Sequence, residues 1–471
     1  ALPFHLATLI PMVRKVLEEF PLDTMEDGDI FIMNDPYLGG THLPDIALIM
    51  PIFEGGVPIA LSAAMTHHQD VGGMTPGSVP TNATEIFQEG IRIPPLKYYS
   101  RGVVNSTLIK ILRLNVRLPD SFEGDLNAQV AACQIGRRRL VSLAEKYGTE
   151  KIKYIFSELL DRSEIMTRDA IKDLPNGMFS HVDYLDNDGV DLDTAIKINV
   201  NVKIDDDEIY LDFTGTNKQV KGPFNLMPSG AYAAAYFAVH AMIDADVPIN
   251  GGCFRPISLK LPERSILNPE EPAAVNARTS TMKRVAGCIT SALGKADPPR
   301  AVADAAGELL LLAFGGERED GSRYVVGELV ASGSGASEGM DGVDVIETDG
   351  TNCMNLPIEA LELDVPIRIN KTELRKGSGG AGKFRGGLGI IREYEVLKGE
   401  VIFTHRGERH AYAAQGISSG GAGALAQSVI YRLDGTMEVI NSKIIQKLQP
   451  GDRVVVETAG GGGYGDIKER S

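Results

Sequence analysis

The run Ile46-Ala-Leu-Ile-Met-Pro-Ile-Phe53 is followed by Glu54-Gly-Gly56 and then by Val57-Pro-Ile-Ala-Leu-Ser-Ala-Ala-Met65. Two short apolar runs bounded by turn residues read as strands, and the Glu-Gly-Gly between them reads as a hairpin turn. Such a hairpin brings its two outer flanks to one end of a sheet. The first flank is His42-Leu-Pro-Asp45 and the second is His67-His68-Gln-Asp70. Imidazole and carboxylate together suit a borderline divalent ion such as Zn, Mn, Fe or Co. Three protein ligands with one open position belong to a catalytic site rather than a structural one. The expected ligands are His42, Asp45 and His67. The bland alternative is a set of polar turns that bind nothing. It is the weaker reading for two such motifs flanked by Gly-Gly pairs. For His68, a place beside the ligands and a place on the surface are equally good readings.

Further along, Thr84-Glu85-Ile-Phe-Gln-Glu89-Gly-Ile-Arg92-Ile-Pro-Pro95 opens from a Pro-rich loop. Glu85, Glu89 and Arg92 are expected to line the site. A surface ion pair accounts for Glu89 and Arg92 equally well.

With 471 residues the chain is long enough for two or three domains, or one large intertwined one. Its 43% apolar and 23% charged residues are ordinary for a globular protein. A net charge of −16 argues against nucleic acid and against an anionic membrane surface as partners. No apolar run reaches the ~18 residues of a membrane span. Cys133, Cys253, Cys288 and Cys353 form no C-x-x-C pair, so buried free thiols in a reducing, cytoplasmic compartment are expected.

The fold class expected is α+β: mixed and multi-layered, with a metal-bearing N-terminal part and a β-rich, Gly-rich C-terminal part. The divisions fall at 1–175, 176–300 and 301–471. Residues 6–20 carry helical apolar spacing, as do Asp125 to Tyr147 and Lys151 to Lys172. Arg137-Arg-Arg139 lies on the polar side of its helix and reads as a solvated face. From 176 the period becomes two, with strands such as 195–204 and 209–213. Residues 229–246 predict an Ala-rich helix suited to close packing, with His240 a satisfied core histidine. Asn276-Ala-Arg278 through Lys283-Arg284 leads into an apolar helix, where N–H groups beside cations suit a carboxylate or phosphate. Ser378-Gly-Gly-Ala-Gly-Lys-Phe-Arg385-Gly-Gly-Leu-Gly389 is no phosphate loop, because Lys383 precedes Phe and a strand follows. It reads as a glycine-shaped connection. His405-Arg-Gly-Glu-Arg409-His410 is either surface or an approach to a site. No Walker, kinase or Rossmann fingerprint is present, so any ATP is expected on another chain.

The motifs 34–45, 67–73, 84–95, 247–256, 379–389 and Gly460-Gly-Gly-Gly-Tyr-Gly-Asp466 together resemble the B component of the hydantoinase/oxoprolinase family along essentially the whole chain. The resemblance implies a two-component, ATP-dependent cyclic amidase. A hydantoinase A-type ATPase, using ATP and Mg, phosphorylates a hydantoin, 5-oxoproline or lactam. The B component, with Zn or Mn on His42, Asp45 and His67, then opens the activated ring with water. Asp70 or Glu89 is the expected general base and His68 a further catalytic candidate, while Arg92 and Arg278 are expected to bind substrate. The alternative implied is the carboxylating component of an acetone- or acetophenone-type carboxylase. Family members also carry a segment before Pro-Phe-His-Leu, with an Asp near the metal, and often continue beyond Gly-Tyr-Gly-Asp, so a partial chain is expected.

Overall fold

The structure is a computed structural model that describes residues 3–5, 7–243 and 246–470. The N-terminal sheet contains β1 (Ile30–Met33), β2 (Asp45–Glu54), β3 (Val57–His67), β4 (Leu96–Ser100) and β5 (Val103–Val104), in the order β3-β2-β1-β4-β5 and antiparallel throughout. The expected hairpin is β2–β3. Its two-residue turn is Gly55-Gly56, with φ of 58° and 81°. That positive-φ pair matches the right-handed twist of the flanking strands, and only glycine adopts it without strain.

The sheet is covered on both faces, which is why β2 reads as a continuous apolar run. Ala47 and Ile49 join Phe31 and Met33 against Met12 and Val16 of α1 (Leu9–Glu19). Ile46, Leu48 and Met50 face the other way, into a core shared with Leu112 of α2 (Ser106–Asn115) and Phe122, Leu126 and Cys133 of α3 (Pro119–Tyr147). The Asn105 side chain caps α2 by accepting from Leu108 N–H. α4 (Thr149–Lys172) completes the helical stretch. The helix expected over 6–20 begins at Leu9, and residue 6 lies outside the described residues.

The second sheet is β6 (Gly177–Leu185), β7 (Ile196–Asp205), β8 (Glu208–Asp212) and β9 (Ile257–Lys260), the last pair being parallel. Inward Ile198, Val200, Val202 and Ile204 alternate with outward polar residues. They meet α5 (Pro228–Met242) and α6 (Arg278–Ala296). The Ala-rich face of α5 packs on α6, as its small side chains suit. Of the helix expected over 229–246, residues 244 and 245 lie outside the described residues. His240 Nε2 meets the Cys253 carbonyl at 3.3 Å, a core contact.

The C-terminal part packs two antiparallel sheets. One runs β11-β10-β14-β17, from β10 (Leu310–Glu317), β11 (Arg323–Val330), β14 (Val401–Arg406) and β17 (Lys443–Leu448). The other runs β12-β13-β18-β15-β16, from β12 (Ile367–Leu374), β13 (Ile390–Val396), β15 (Gln427–Tyr431), β16 (Met437–Ile440) and β18 (Arg453–Glu457). Phe314, Tyr394, Phe403 and Val456 fill the space between them, and α7 (Ile358–Asp364) adds Leu361. The glycine stretches interlock: Gly380 N–H donates to Gly461 O, and Gly461 N–H to Gly387 O. A Cβ at Gly461 would stand 1.8 Å from Ser334 O. The run 379–389 is therefore a close-packed backbone connection, and it leads into β13 as expected.

All four cysteines are free, three of them buried. No helix among the described residues is long and apolar enough to cross a membrane.

Candidate metal centre

The β2–β3 register sets Asp45 directly opposite His67 at the open end of the hairpin. Facing cross-strand residues have Cβ atoms ~5 Å apart. His42 arrives from the turn before β2, and Asp45 N–H donates to His42 O, which fixes that turn. Ligand-capable atoms of His42, Asp45 and His67 all lie within 4.8 Å of one another. His42 and Asp45 are buried, whereas His67 remains open to solvent on one side.

The protonation states follow from the neighbours. His42 Nδ1 lies 3.1 Å from Asn276 O, and a carbonyl can only accept, so Nδ1 carries the proton and Nε2 presents its lone pair. Burial pushes the His42 imidazole below its ordinary range against the pull of Asp45. Crowding of its inner edge and the nearby His42 push His67 down as well, although its outer edge is open to solvent. Burial alone would raise Asp45, but the buried Arg278 guanidinium beside it holds the carboxyl well below the usual carboxylate range. The result is two neutral imidazoles and one carboxylate, the forms in which these groups ligate a cation.

Two buried atoms of the cluster lack hydrogen-bond partners among the described residues: His42 Nε2 and Asp45 Oδ1. His42 Nε2 stands 3.3 Å from Asp45 Oδ2 with no proton between them. Lone pair facing lone pair in a buried site is unfavourable without a cation to share. The donor set fits a divalent ion, with His67 as the third ligand.

Around this trio, Asp45 Oδ2 accepts from Thr41 Oγ1 and from Arg278 Nη2, and His5 Nε2 approaches it at 3.7 Å. Arg278 opens α6 and is buried against Asp45, so of the two arginines expected to bind substrate it is the one at the cluster. Arg92 is not: it pairs with Asp35 at 2.8 Å and Glu271 at 2.7 Å, tying the 35–38 turn to the 270–273 loop.

The other expected site residues separate. Asp70 accepts from the N–H groups of Gly72, Gly77 and Arg117 and from Arg117 Nη1, so its oxygens are occupied in holding loop 70–77. His68 points away from its neighbour, as successive residues of extended chain do. It lies against Phe122, with Nε2 3.1 Å from Gln129 Oε1 on α3. Glu89 is buried, does not pair with Arg92, and takes the backbone N–H groups of Val275 and Asn276. Burial pushes its carboxyl up to about 8 despite those N–H groups and Arg406. The N–H groups of Val275 and Asn276, just before α6, are thus taken by the chain's own Glu89.

Sequence reasoning missed Asn276 as a hub. Its carbonyl orients His42, its N–H meets Glu89, its Nδ2 donates to Ser78 O, and its Oδ1 accepts from Arg406 Nη1. The only hint was the polar segment before α6. His5 and Thr41 were missed also. Arg406 shows that the 405–410 segment does approach the centre from β14.

The α+β scaffold thus presents an imidazole–carboxylate cluster at the end of a sheet. The hydantoinase B/oxoprolinase family profile matches residues 1–467, and the chain belongs to that family. The beta chain of the caprolactamase of Pseudomonas jessenii is 33% identical over 100% of this chain and 82% of its own. The B component of the putative D-/L-hydantoinase of Pseudomonas sp. strain NS671 is 34% identical over 97% of this chain and 79% of its own. Among solved structures, the ATP-dependent caprolactamase from Pseudomonas jessenii superposes with a TM-score of 0.90 at 31% identity, covering 100% of this chain and 83% of that one. A nucleotide-free acetone carboxylase gives 0.89 at 20% identity over 99% of this chain and 68% of that one, a likeness of fold.

Proposed function

We propose that this chain is the metal-dependent, ring-opening component of a two-component ATP-dependent cyclic amidase. The observation that carries the reading is the cluster of His42, Asp45 and His67, with His42 Nε2 and Asp45 Oδ1 buried and unpartnered. The hydantoinase and caprolactamase relatives are each named as one component of a larger enzyme, which supports a second chain here. A hydantoinase A-type ATPase would use ATP and Mg to phosphorylate the oxygen of a hydantoin, 5-oxoproline or lactam. That step activates a poor electrophile: water adds at the carbon, the ring C–N bond breaks as the nitrogen takes a proton, and hydrolysis of the resulting acyl phosphate releases inorganic phosphate.

His42, Asp45 and His67 would hold Zn or Mn, which supplies Lewis acidity and a nucleophile at neutral pH. The chain's own residues do the rest. Asn276 keeps His42 in the Nδ1–H tautomer, as outer partners of ligating histidines do. Arg278 and Thr41 hold the Asp45 carboxylate in place. Glu89 acts through the Asn276 backbone and so positions His42. Its raised pKa keeps a proton on it near neutral pH. Arg278 lies beside the cluster, and its Nε, the nitrogen left free by Asp45 and Met282, is the edge proposed to meet an anionic substrate group.

The test combines this chain with an A-type partner, ATP, Mg and labelled bicarbonate, and offers hydantoin, 5-oxoproline, a simple lactam and an aryl ketone. Ring-opened acid without label is expected. Label appearing in a keto acid would replace the reading with ketone carboxylation.

A further inference from the structure

A cavity of about 270 Å³ lies beside α6 and contains none of the cluster residues. Its lining includes Arg284, Lys283, Thr290 and Ser291 of α6, Asp349, and Arg409 from the segment after β14. Arg284 lies six residues beyond Arg278, ~9 Å along the helix axis at ~1.5 Å per residue, and on another face of it.

The cations here are not equally engaged. Arg409 donates from all three of its nitrogens, to Asp183 and to the carbonyls of Ala305, Ala306, Tyr412 and Ala413. Lys283 pairs with Glu347 at 2.9 Å. Arg284 uses only Nη1, which donates to Asp183 Oδ2 at 2.7 Å. Its Nε and Nη2 are buried with no hydrogen-bond partner among the described residues, and the residue is 2% exposed. Those two nitrogens form the edge of a guanidinium that offers two parallel N–H groups. That edge matches the two oxygens of a carboxylate. Leaving it unfilled in a buried site is costly.

A second feature keeps the space clear. Gly287, one turn along α6, also lines the cavity, and a Cβ added there would meet nothing within 4 Å. A mid-helix glycine costs ~0.5–1 kcal/mol relative to alanine, so its presence calls for a reason. Asp304 and Asp349 also line the cavity and suit hydrogen-bond donors. Asp304 already accepts from Ser291 Oγ at 2.9 Å.

We propose that this cavity is a binding site for a small carboxylate, seated on the Nε/Nη2 edge of Arg284, with the ligand's donor groups toward Asp349 and Asp304. The site is separate from the metal cluster and does not depend on the activity proposed above.

The test is saturation-transfer NMR and calorimetry on the full chain, using acetate, glycine and glutamate, with inorganic phosphate as the competing anion. The variants are Gly287→Leu, Arg284→Lys and His67→Ala. Gly287→Leu fills the cavity while improving helix propensity, so it retains the fold. At least one carboxylate is expected to bind, with phosphate weaker. Gly287→Leu and Arg284→Lys should each weaken it by about tenfold or more, equivalent to ~1.4 kcal/mol. His67→Ala should leave it unchanged. Absence of carboxylate binding at ~10 mM, well above the ~1 mM that corresponds to ~4 kcal/mol, would overturn the proposal. So would wild-type binding by Gly287→Leu, or preference for phosphate.

Discussion

Asp45 and His67 are direct cross-strand partners, the last pair at the open end of the β2–β3 hairpin. The register that buries Ile46, Leu48 and Met50 on one face therefore also brings the two side chains together. A slip of one residue would turn every β2 side chain to the opposite face.

The two members of this pair should respond differently to removal. Asp45 neutralises the buried Arg278, so Asp45→Ala leaves an unpaired buried charge and should cost ~3–5 kcal/mol in denaturant unfolding. His67 is open to solvent and should cost within ~0.5 kcal/mol as His67→Ala while losing activity. Equal stability losses in the two variants would show that the cluster is not built as described.

Asp70 is predicted to be a loop staple. Asp70→Asn removes the charge that holds Arg117 and should lower stability by ~1–3 kcal/mol. Turnover per folded molecule should stay near wild type. A loss of ~10²–10⁴ in rate at full stability would instead mark it as the general base.

Asn276→Ala separates backbone from side chain. The carbonyl that orients His42 remains, while Arg406 and Ser78 O each lose a partner. Stability should fall by ~1–3 kcal/mol with metal content of the folded protein retained. Metal loss in a fully stable variant would contradict this division.

Glu308 gives a pH signature away from the cluster. Burial pushes its carboxyl up to about 8 from an ordinary 4.5, although Ala459 N–H donates to it. The folded state thus keeps a proton that the unfolded chain releases. Stability from this group is complete below about 4.5 and is lost as pH rises toward about 8. In melting curves at a series of pH values, Glu308→Gln should gain on wild type across that window. Parallel curves would contradict the assignment.

Local chemistry made the hairpin and its three cluster residues legible. Apolar runs, a Gly-Gly turn and flanking His and Asp all lie within 26 residues, from 42 to 67. The rest of the site depends on long-range contacts. Glu89 is claimed by N–H groups 186 and 187 positions away. Asp70 is claimed by Arg117, 47 positions on, and Arg92 by Glu271, 179 positions on. A carboxylate in sequence does not announce whether solvent, a metal or a distant backbone will satisfy it. The helix over 119–147 began earlier than its amphipathic pattern, at Pro119, because proline suits a first helical turn. The glycine runs were legible as connections, but their mutual interlocking was not.

The most direct measurement is the metal content of the purified chain, taken with its partner, for wild type and for the His42→Ala, His67→Ala double variant. The account predicts about one tightly held divalent ion per chain in wild type, as a three-ligand site requires, and its loss in a variant that remains folded by circular dichroism. A wild-type protein without a stoichiometric ion, or an ion that survives removal of both histidines, would contradict it.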